Sequence, residues 1–329
     1  MMYAYHDTMY VPEGDALTGI RNREYTSSLS GLEKAMATGA ILEGTVTLCD
    51  PQLNLHIDFP GLPCVHGLME RSEVVYTHEG ESVKDIAILT RVGKAVCFKI
   101  IGLEARPDGG VTAYLSRRAA QSECLHNFIE TLLPGDILRA RVTHLENFGA
   151  FVDIGCGLPS LLSVDAISVS RIAHPRDRLY GGQFIWVVVR NVDHVHHRVF
   201  VSMRELLGTW EENAAQFKAG QTVAGIVRSV EDYGVFVELA PNLAGLAEFR
   251  EENRSAIQAM VGQCAAVFIK SILPERMKIK LVLIDTYKTD SLPAPRLTYY
   301  ITGEQTDHLS RWLYSPSCAP KRVETVFDS

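Results

Sequence analysis

Two segments of the sequence combine aromatic residues and glycine in the same order, NFGAFVDI with Phe148 and Phe151, and DYGVFVEL with Tyr233 and Phe236. A regular strand would point residues three positions apart to opposite faces. The glycine between the rings, such as Gly149, permits a bulge or an unusual twist, either of which can bring both rings to one surface. Two outward rings form a surface on which unpaired bases stack. The alternative is that the rings fill a core, and the recurrence of the pattern favours the stacking interpretation.

Basic residues accompany both segments, and we expect several of them to contact phosphate beside the rings. A solvated surface role is the alternative for each of them. The loop at residues 167–182, ISVSRIAHPRDRLYGG, holds four more basic residues and is interpreted in the same two ways. The candidates in and around the strands are Arg139, Arg141, Arg198, Arg204, Arg228, Lys278 and Lys280.

The aromatic segments belong to a longer internal repeat, in which residues 134–154 match residues 219–239. Each copy continues with a glycine turn, a polar stretch, an apolar run after Gly-Gln and a last strand with basic ends. Short runs rich in Val, Ile and Phe between turns predict strands. Five such strands with one loop that carries a helical turn are typical of an OB-type barrel. The interval from Phe148 to Tyr233 is too long for a solenoid repeat.

A weaker third copy starts at residue 39, with Leu53 and His56 at the aromatic positions. The sequence therefore predicts an all-β protein of three tandem five-stranded OB-fold barrels joined by short helices. A helix with an apolar stripe from Met203 through Trp210 to Phe217 would form the second connector. The predicted division is an extension at 1–36, barrels at 37–118, 134–205 and 219–287, helical connectors at 119–133 and 206–218, and a tail at 288–329.

The composition excludes several classes of protein. A net charge of −7 disfavours a protein that wraps duplex DNA, because phosphate neutralisation dominates such binding. The seven cysteines are dispersed without a C-x-x-C pair, which disfavours a structural zinc site and a disulfide framework. No apolar run approaches the roughly 18 residues of a membrane helix, and the first thirty residues do not resemble a secretory signal. We therefore expect a cytoplasmic monomer without membrane contact.

Motifs for catalysis, metals and cofactors are missing from the sequence. It contains no P-loop, no G-x-S-x-G, no H-E-x-x-H and no conspicuous carboxylate pair. The histidines in DHVHHR, residues 193–198, are interpreted as a solvated turn, because alternate hairpin residues point apart. We expect no enzyme activity, no cofactor and no metal.

The repeat resembles the S1 RNA-binding domain of bacterial ribosomal S1 proteins. The resemblance rests on (D/N)-(F/Y)-G-x-F-V-(D/E), a following Gly-Leu turn and R-x-x-(V/L)-S near the end of the unit. The junction around Trp210 is also similar to a junction between domains of that ribosomal protein, although Gly208 and Thr209 replace the usual Asp-Pro. The resemblance covers about residues 37–287.

The RNA surface of this family comprises two strand aromatics, a histidine after the Gly-Leu turn and an arginine that opens the last strand. The resemblance implies that the aromatics are Phe148 and Phe151 in the second unit and Tyr233 and Phe236 in the third. Arg198 matches the arginine, and Lys278 takes its place in the third unit. The histidine position holds Glu70, Ser163 and Glu248 in the three units, and the first unit lacks both aromatics, as in leading domains that dock on proteins.

Three functions follow as hypotheses. In the first, the chain binds single-stranded RNA, chiefly mRNA, and acts in translation as ribosomal S1 proteins do. The small ribosomal subunit would be its partner. In the second, the chain is a protein-interaction adaptor on the ribosome or on an RNA-processing complex, and its barrels are structural. The third, an RNA-processing enzyme, would need a catalytic constellation that the sequence does not display.

Overall fold

Three closed five-stranded barrels make up most of the molecule, which confirms the all-β class and the OB-type architecture. The structure is a computed structural model that describes residues 10–77, 83–248, 261–287 and 297–328. Barrel 1 consists of β1 (Leu42–Cys49), β2 (Leu55–Asp58), β3 (Val65–Met69), β4 (Ala95–Ala105) and β5 (Val111–Ser116). Barrel 2 consists of β6 (Ile137–Glu146), β7 (Gly149–Asp153), β8 (Pro159–Ser163), β9 (Phe184–Asp193) and β10 (Arg198–Ser202). Barrel 3 consists of β11 (Thr222–Glu231), β12 (Gly234–Ala240), β13 (Leu243–Glu248), β14 (Cys264–Leu273) and β15 (Lys278–Tyr287).

The three barrels share one topology. In each, the third strand pairs in parallel with the fifth, and the other neighbouring strands are antiparallel. Pairing of the first strand with the fourth closes each barrel.

Alternation along the strands decides which side chains fill each barrel and which point outward. In β7, Ala150 and Val152 are fully buried, whereas Phe151 between them is only half-buried. The same alternation turns Phe236 outward on β12 and Phe200 outward on β10. The outward aromatics are therefore a consequence of strand periodicity.

Helices flank the barrels at α1 (Ile20–Thr26), α2 (Leu29–Thr38), α3 (Asp85–Leu89), α4 (Arg117–Asn127) and α5 (Trp210–Ala214). The prediction of one continuous helix from Met203 to Phe217 was wrong. A 3-10 helix at Arg204–Leu207 ends at Gly208, whose φ is +85°, and α5 starts anew after Thr209. The Thr209 hydroxyl accepts from the Glu212 amide at 3.2 Å while the Glu212 carboxylate accepts from the Thr209 amide at 2.7 Å. This capping box favours a fresh helix start over continuation.

A segment before α1 ties barrel 1 to barrel 2. The buried Glu13 carboxylate accepts hydrogen bonds from Arg117 at 2.6 Å and from the Cys97 amide of β4 at 3.1 Å. The Glu13 amide donates to Asp153 of β7 at 2.7 Å. Burial alone would raise the pKa of Glu13, but the charge of Arg117 outweighs it and holds that pKa below its usual value. Glu13 thus links the two barrels through a buried ion pair with Arg117 and a hydrogen bond from its amide to Asp153.

The tail packs on barrels 2 and 3. Its strands β16 (Arg311–Leu313) and β17 (Glu324–Val326) form a small sheet, and Trp312 lies in the core cluster of barrel 3. The Tyr314 hydroxyl donates to the Asn242 carbonyl at 2.7 Å. His308 lies 2.9 Å from Asp136 of barrel 2 and bridges it to Asp328. The tail therefore ties the last two barrels together. In the described ranges no helix is both long enough and apolar enough to cross a membrane.

Candidate nucleic-acid interface

Barrels 2 and 3 each carry an aromatic pair, which we call a platform: Phe148 with Phe151, and Tyr233 with Phe236. In barrel 2 the ring centroids are 6.1 Å apart and the planes meet at 89°. In barrel 3 the values are 6.2 Å and 89°. The first ring of each pair is well exposed, at 55% for Phe148 and 65% for Tyr233. The edge-to-face contact packs the second ring against the first and leaves one face of the first ring open for stacking with a base.

The strand distortion behind this geometry lies on the partner strand rather than at the glycine. The β6–β7 register shifts between Val142 and His144, so Thr143 is the extra residue. Its hydroxyl donates to the Phe151 carbonyl at 3.0 Å. The same shift occurs in barrel 3 at Arg228 and in barrel 1 at Thr47. Of the two distortions predicted at Gly149, the bulge was therefore wrong.

The glycines serve a different purpose, which is close approach of backbones. A Cβ at Gly149 would lie 2.5 Å from the carbonyl oxygen of Leu162 on β8. At Gly234 the distance to the carbonyl oxygen of Ala247 on β13 would be 2.7 Å. Any side chain at either position would push the neighbouring strand away and disturb the turn that carries the first ring.

Each platform continues across its barrel as a row of outward side chains. In barrel 2, Phe151 pairs with Leu161 of β8, which in turn pairs with Phe200 of β10. Phe200 is half-buried and adds a third aromatic that the sequence analysis missed. In barrel 3 the matching row is Phe236, Leu246 and Lys280. Strand alternation within RVFVS could have revealed Phe200, because the valines on either side point inward.

Three of the predicted basic residues share these outward faces. Arg198 is exposed at the start of β10, two residues from Phe200 and hence on the same side of the strand. Lys278 and Lys280 are exposed on β15, and Lys280 lies directly opposite Leu246 in the row. The structure thus brings these cations and the aromatic rings to one surface of each barrel.

Three other predicted cations are held in structural contacts. The Arg141 guanidinium donates to the Glu13 carbonyl at 2.6 Å. Nε of Arg204 lies 3.1 Å from the carboxylate of the fully buried Glu205. The Arg228 side chain is only 9% exposed and pairs with Glu238 at 2.7 Å. The guanidinium groups of Arg141, Arg204 and Arg228 thus make contacts within the protein, and their contact with RNA phosphate stays a prediction.

The loop at residues 167–182 is likewise only partly exposed to solvent. Arg178 is fully buried and bonded to Glu238 of barrel 3, so it joins the barrels and does not face solvent. Arg171 and Arg176 in the same loop are exposed.

The position of the family histidine lies next to each platform. Ser163 pairs with Gly149 in the β7–β8 register, and the Val164 amide donates to the Phe148 carbonyl at 2.9 Å. The hydrogen bond of Ser163 to Asp165 lowers the pKa of that carboxyl. In barrel 3, Glu248 ends β13 and pairs with Val282. Ser163 therefore lies against the platform turn, with its hydroxyl engaged by a carboxylate.

Barrel 1 has a different surface at the equivalent place. Leu53 lies in the turn with a φ of +65°, and His56 takes the position of the second ring. Leu48, the register partner of His56, is 55% exposed.

Comparisons with known proteins agree with this geometry. The S1 RNA binding domain family matches residues 132–204, which contain barrel 2. Small ribosomal subunit protein bS1 of Mycolicibacterium smegmatis is 33% identical over 202 residues, which cover 58% of this chain and 41% of that protein. The bS1 protein of Staphylococcus saprophyticus is 30% identical over 188 residues, covering 54% and 48%. The bS1 homolog of Bacillus subtilis is 28% identical over 224 residues, covering 65% and 58%.

The chain spans about half the length of these curated relatives. Among solved structures, a multidomain protein with nucleic acid binding domains from Streptococcus pneumoniae covers 75% of the chain at 15% identity and a TM-score of 0.24. The chain therefore contains an S1 RNA binding domain at residues 132–204 and is similar to bS1 proteins over about half of its length.

Proposed function

We propose that the chain binds single-stranded RNA on the platforms of barrels 2 and 3, in a non-catalytic S1-like role in translation at the small ribosomal subunit. A ribosomal partner would place it in the cytoplasm. The observation that carries the proposal is the equivalent edge-to-face pair in two barrels, with the first ring exposed in both. The match of the S1 RNA binding domain family to barrel 2 supports it.

Stacking rather than charge supplies most of the proposed affinity. Base–aromatic stacking contributes about 1–3 kcal/mol per base and does not depend on net charge. That fits a chain whose formal charge is −7. Arg198, Lys278 and Lys280 would contact backbone phosphates beside the rings. Each phosphate contact to a single strand contributes about 0.7 to the slope of log K against log salt, so three contacts predict a slope near −2.

The test is a fluorescence anisotropy titration of the intact chain with labelled homopolymer RNAs and a matched RNA duplex at two salt concentrations. We expect binding to single strands of any base, a salt slope of about −2 and little affinity for the duplex. A preference for the duplex, or a slope as steep as that of a protein with many phosphate contacts, would contradict the proposal.

The adaptor hypothesis retains a specific basis in barrel 1. In that barrel, the partly buried Leu53 and His56 take the positions of the platform rings, and Leu48, which pairs with His56, is 55% exposed. An exposed leucine on this face suits docking on a protein better than stacking of bases. Co-sedimentation with ribosomes before and after ribonuclease treatment separates the two roles. Loss on treatment supports tethering through RNA, and persistence supports docking through barrel 1.

A further inference from the structure

Two histidines face each other on the outer surface of barrel 1. His56 of β2 and His66 of β3 are diagonal neighbours in this antiparallel pair. Nδ1 of His56 lies 2.7 Å from Nε2 of His66, and the ring centroids are 4.9 Å apart. The facing nitrogens are therefore converging donor atoms on adjacent strands.

A carboxylate stands behind each ring. Nε2 of His56 lies 3.2 Å from Oδ2 of Asp50, and Nδ1 of His66 lies 3.9 Å from Oδ1 of Asp58. Asp50 is itself fixed in the β1–β2 turn, where it accepts from the Gln52 amide at 2.9 Å and the Asn54 amide at 2.8 Å. Metal-ligating histidines characteristically donate their outer N–H to such a carboxylate, which orients the ring and raises its basicity.

We propose that His56 and His66 form a binding site for a divalent late transition metal ion, with Ni²⁺, Cu²⁺ and Zn²⁺ as the chemical class. Imidazole nitrogen suits these ions, whereas Mg²⁺ and Ca²⁺ prefer oxygen ligands. Two Zn–N bonds of about 2.0–2.1 Å at a tetrahedral angle place the nitrogens about 3.3 Å apart. The rings need to separate by only about 0.6 Å from their present contact. The site is independent of the proposed RNA binding.

The proton balance is simple. The Asp50 carboxylate fixes the proton of His56 on Nε2, so Nδ1 carries a lone pair. His66 donates from Nε2 in the unoccupied pair. On metal binding this proton moves to Nδ1 of His66, where it faces Asp58, and Nε2 becomes a ligand. The site therefore binds metal without net proton release when both rings are neutral.

The rest of the coordination sphere is water. In the described ranges no group of three or more His, Cys, Asp or Glu side chains is placed to hold a metal. The side chains of His56 and His66 are 18% and 33% exposed, so both rings are partly accessible to solvent. A two-ligand site open to solvent binds exchangeable metal rather than a permanent structural ion.

The test is calorimetric titration of the intact chain with NiCl₂ at pH 7.5. Cys64→Ser and Cys318→Ser in every protein remove exposed thiols as competing ligands. We expect one site, abolished by His66→Gln. The matched control is His194→Gln with His196→Gln, which removes two exposed histidines from the other histidine-rich segment and should leave the site intact. Equal Ni²⁺ binding by His66→Gln and its parent would overturn the proposal.

Two further measurements keep the proposal open to refutation if His66→Gln does not fold. Asp50→Asn leaves both ligands in place and should weaken Ni²⁺ binding about 10–100-fold, as loss of an orienting carboxylate does. In the unsubstituted chain, Zn²⁺ should shift the ring nitrogen resonances of His56 and His66 together. Resonances of this pair that stay unchanged at saturating Zn²⁺ would overturn the site.

Discussion

The Glu238 carboxylate on β12 should contribute measurably to the stability of the junction between barrels 2 and 3. Glu238 is bonded to the buried Arg178 of barrel 2, and it accepts from Arg228 at 2.7 Å. Arg228 also lies 3.3 Å from Asp177 of barrel 2. Glu238→Gln removes one charge and leaves two guanidinium groups against a single carboxylate, Asp177.

Removing one partner of a buried ion pair typically lowers the free energy of unfolding by about 3–5 kcal/mol. With a urea m-value of about 1–3 kcal/mol per molar, Glu238→Gln should lower the unfolding midpoint by about 1 M or more. Tryptophan fluorescence is a selective probe, because the three tryptophans Trp186, Trp210 and Trp312 pack in barrels 2 and 3 and the tail.

The matched control is Glu231→Gln on the same barrel, where the side chain is exposed and the expected change is within about 0.5 kcal/mol. A midpoint for Glu238→Gln equal to that of Glu231→Gln would refute the reasoning. It would mean that the cluster around Arg178 does not hold the two barrels together.

Further predictions concern pH and the platform. Burial and the charge of Glu13 raise the pKa of Asp153 to about 7, and burial raises that of Glu43 to about 8. Because these carboxyls have higher pKa values in the folded than in the unfolded state, folding is favoured at low pH and this stability is lost as the pH rises. The melting temperature measured by calorimetry should therefore fall from pH 5 to pH 8.5. A rise over this range would contradict the prediction. Gly149→Ala should weaken RNA binding with barrel 2 still folded, judged by anisotropy and circular dichroism, and unchanged affinity would count against the close strand approach. Phe200→Ala should weaken RNA binding by about 1 kcal/mol or more in the same titration, and unchanged affinity would contradict stacking at that end of the row.

The repeat made the fold predictable from the sequence. Two copies with the same glycine turns and the same apolar alternation define five strands each, and the third copy keeps the alternation without the aromatics. Inward positions such as Val152 follow from a period of two. The helix across Gly208 failed because an apolar stripe does not reveal that Thr209 and Glu212 cap a new start.

The site was less predictable, because sequence does not show which outer faces neighbouring segments cover. The sequence around Arg228 predicts an exposed side chain, yet this side chain lies against Asp177 of barrel 2. Alternation within RVFVS turns Phe200 outward, but its register with Leu161, and through it with Phe151, does not follow from the sequence. His56 and His66 meet only through the register of the β2–β3 pair, which their spacing does not specify.

The most direct test of the account replaces the four platform aromatics by alanine in one chain and measures single-stranded RNA binding by anisotropy. The control is Ile86→Ala, since Ile86 is an apolar residue that is 63% exposed on α3 and lies outside both platforms. Loss of at least about 1 kcal/mol from each platform predicts about 30-fold weaker binding or more, with the Ile86→Ala affinity unchanged. Equal affinities for the two variants and the parent chain would contradict RNA binding by the platforms.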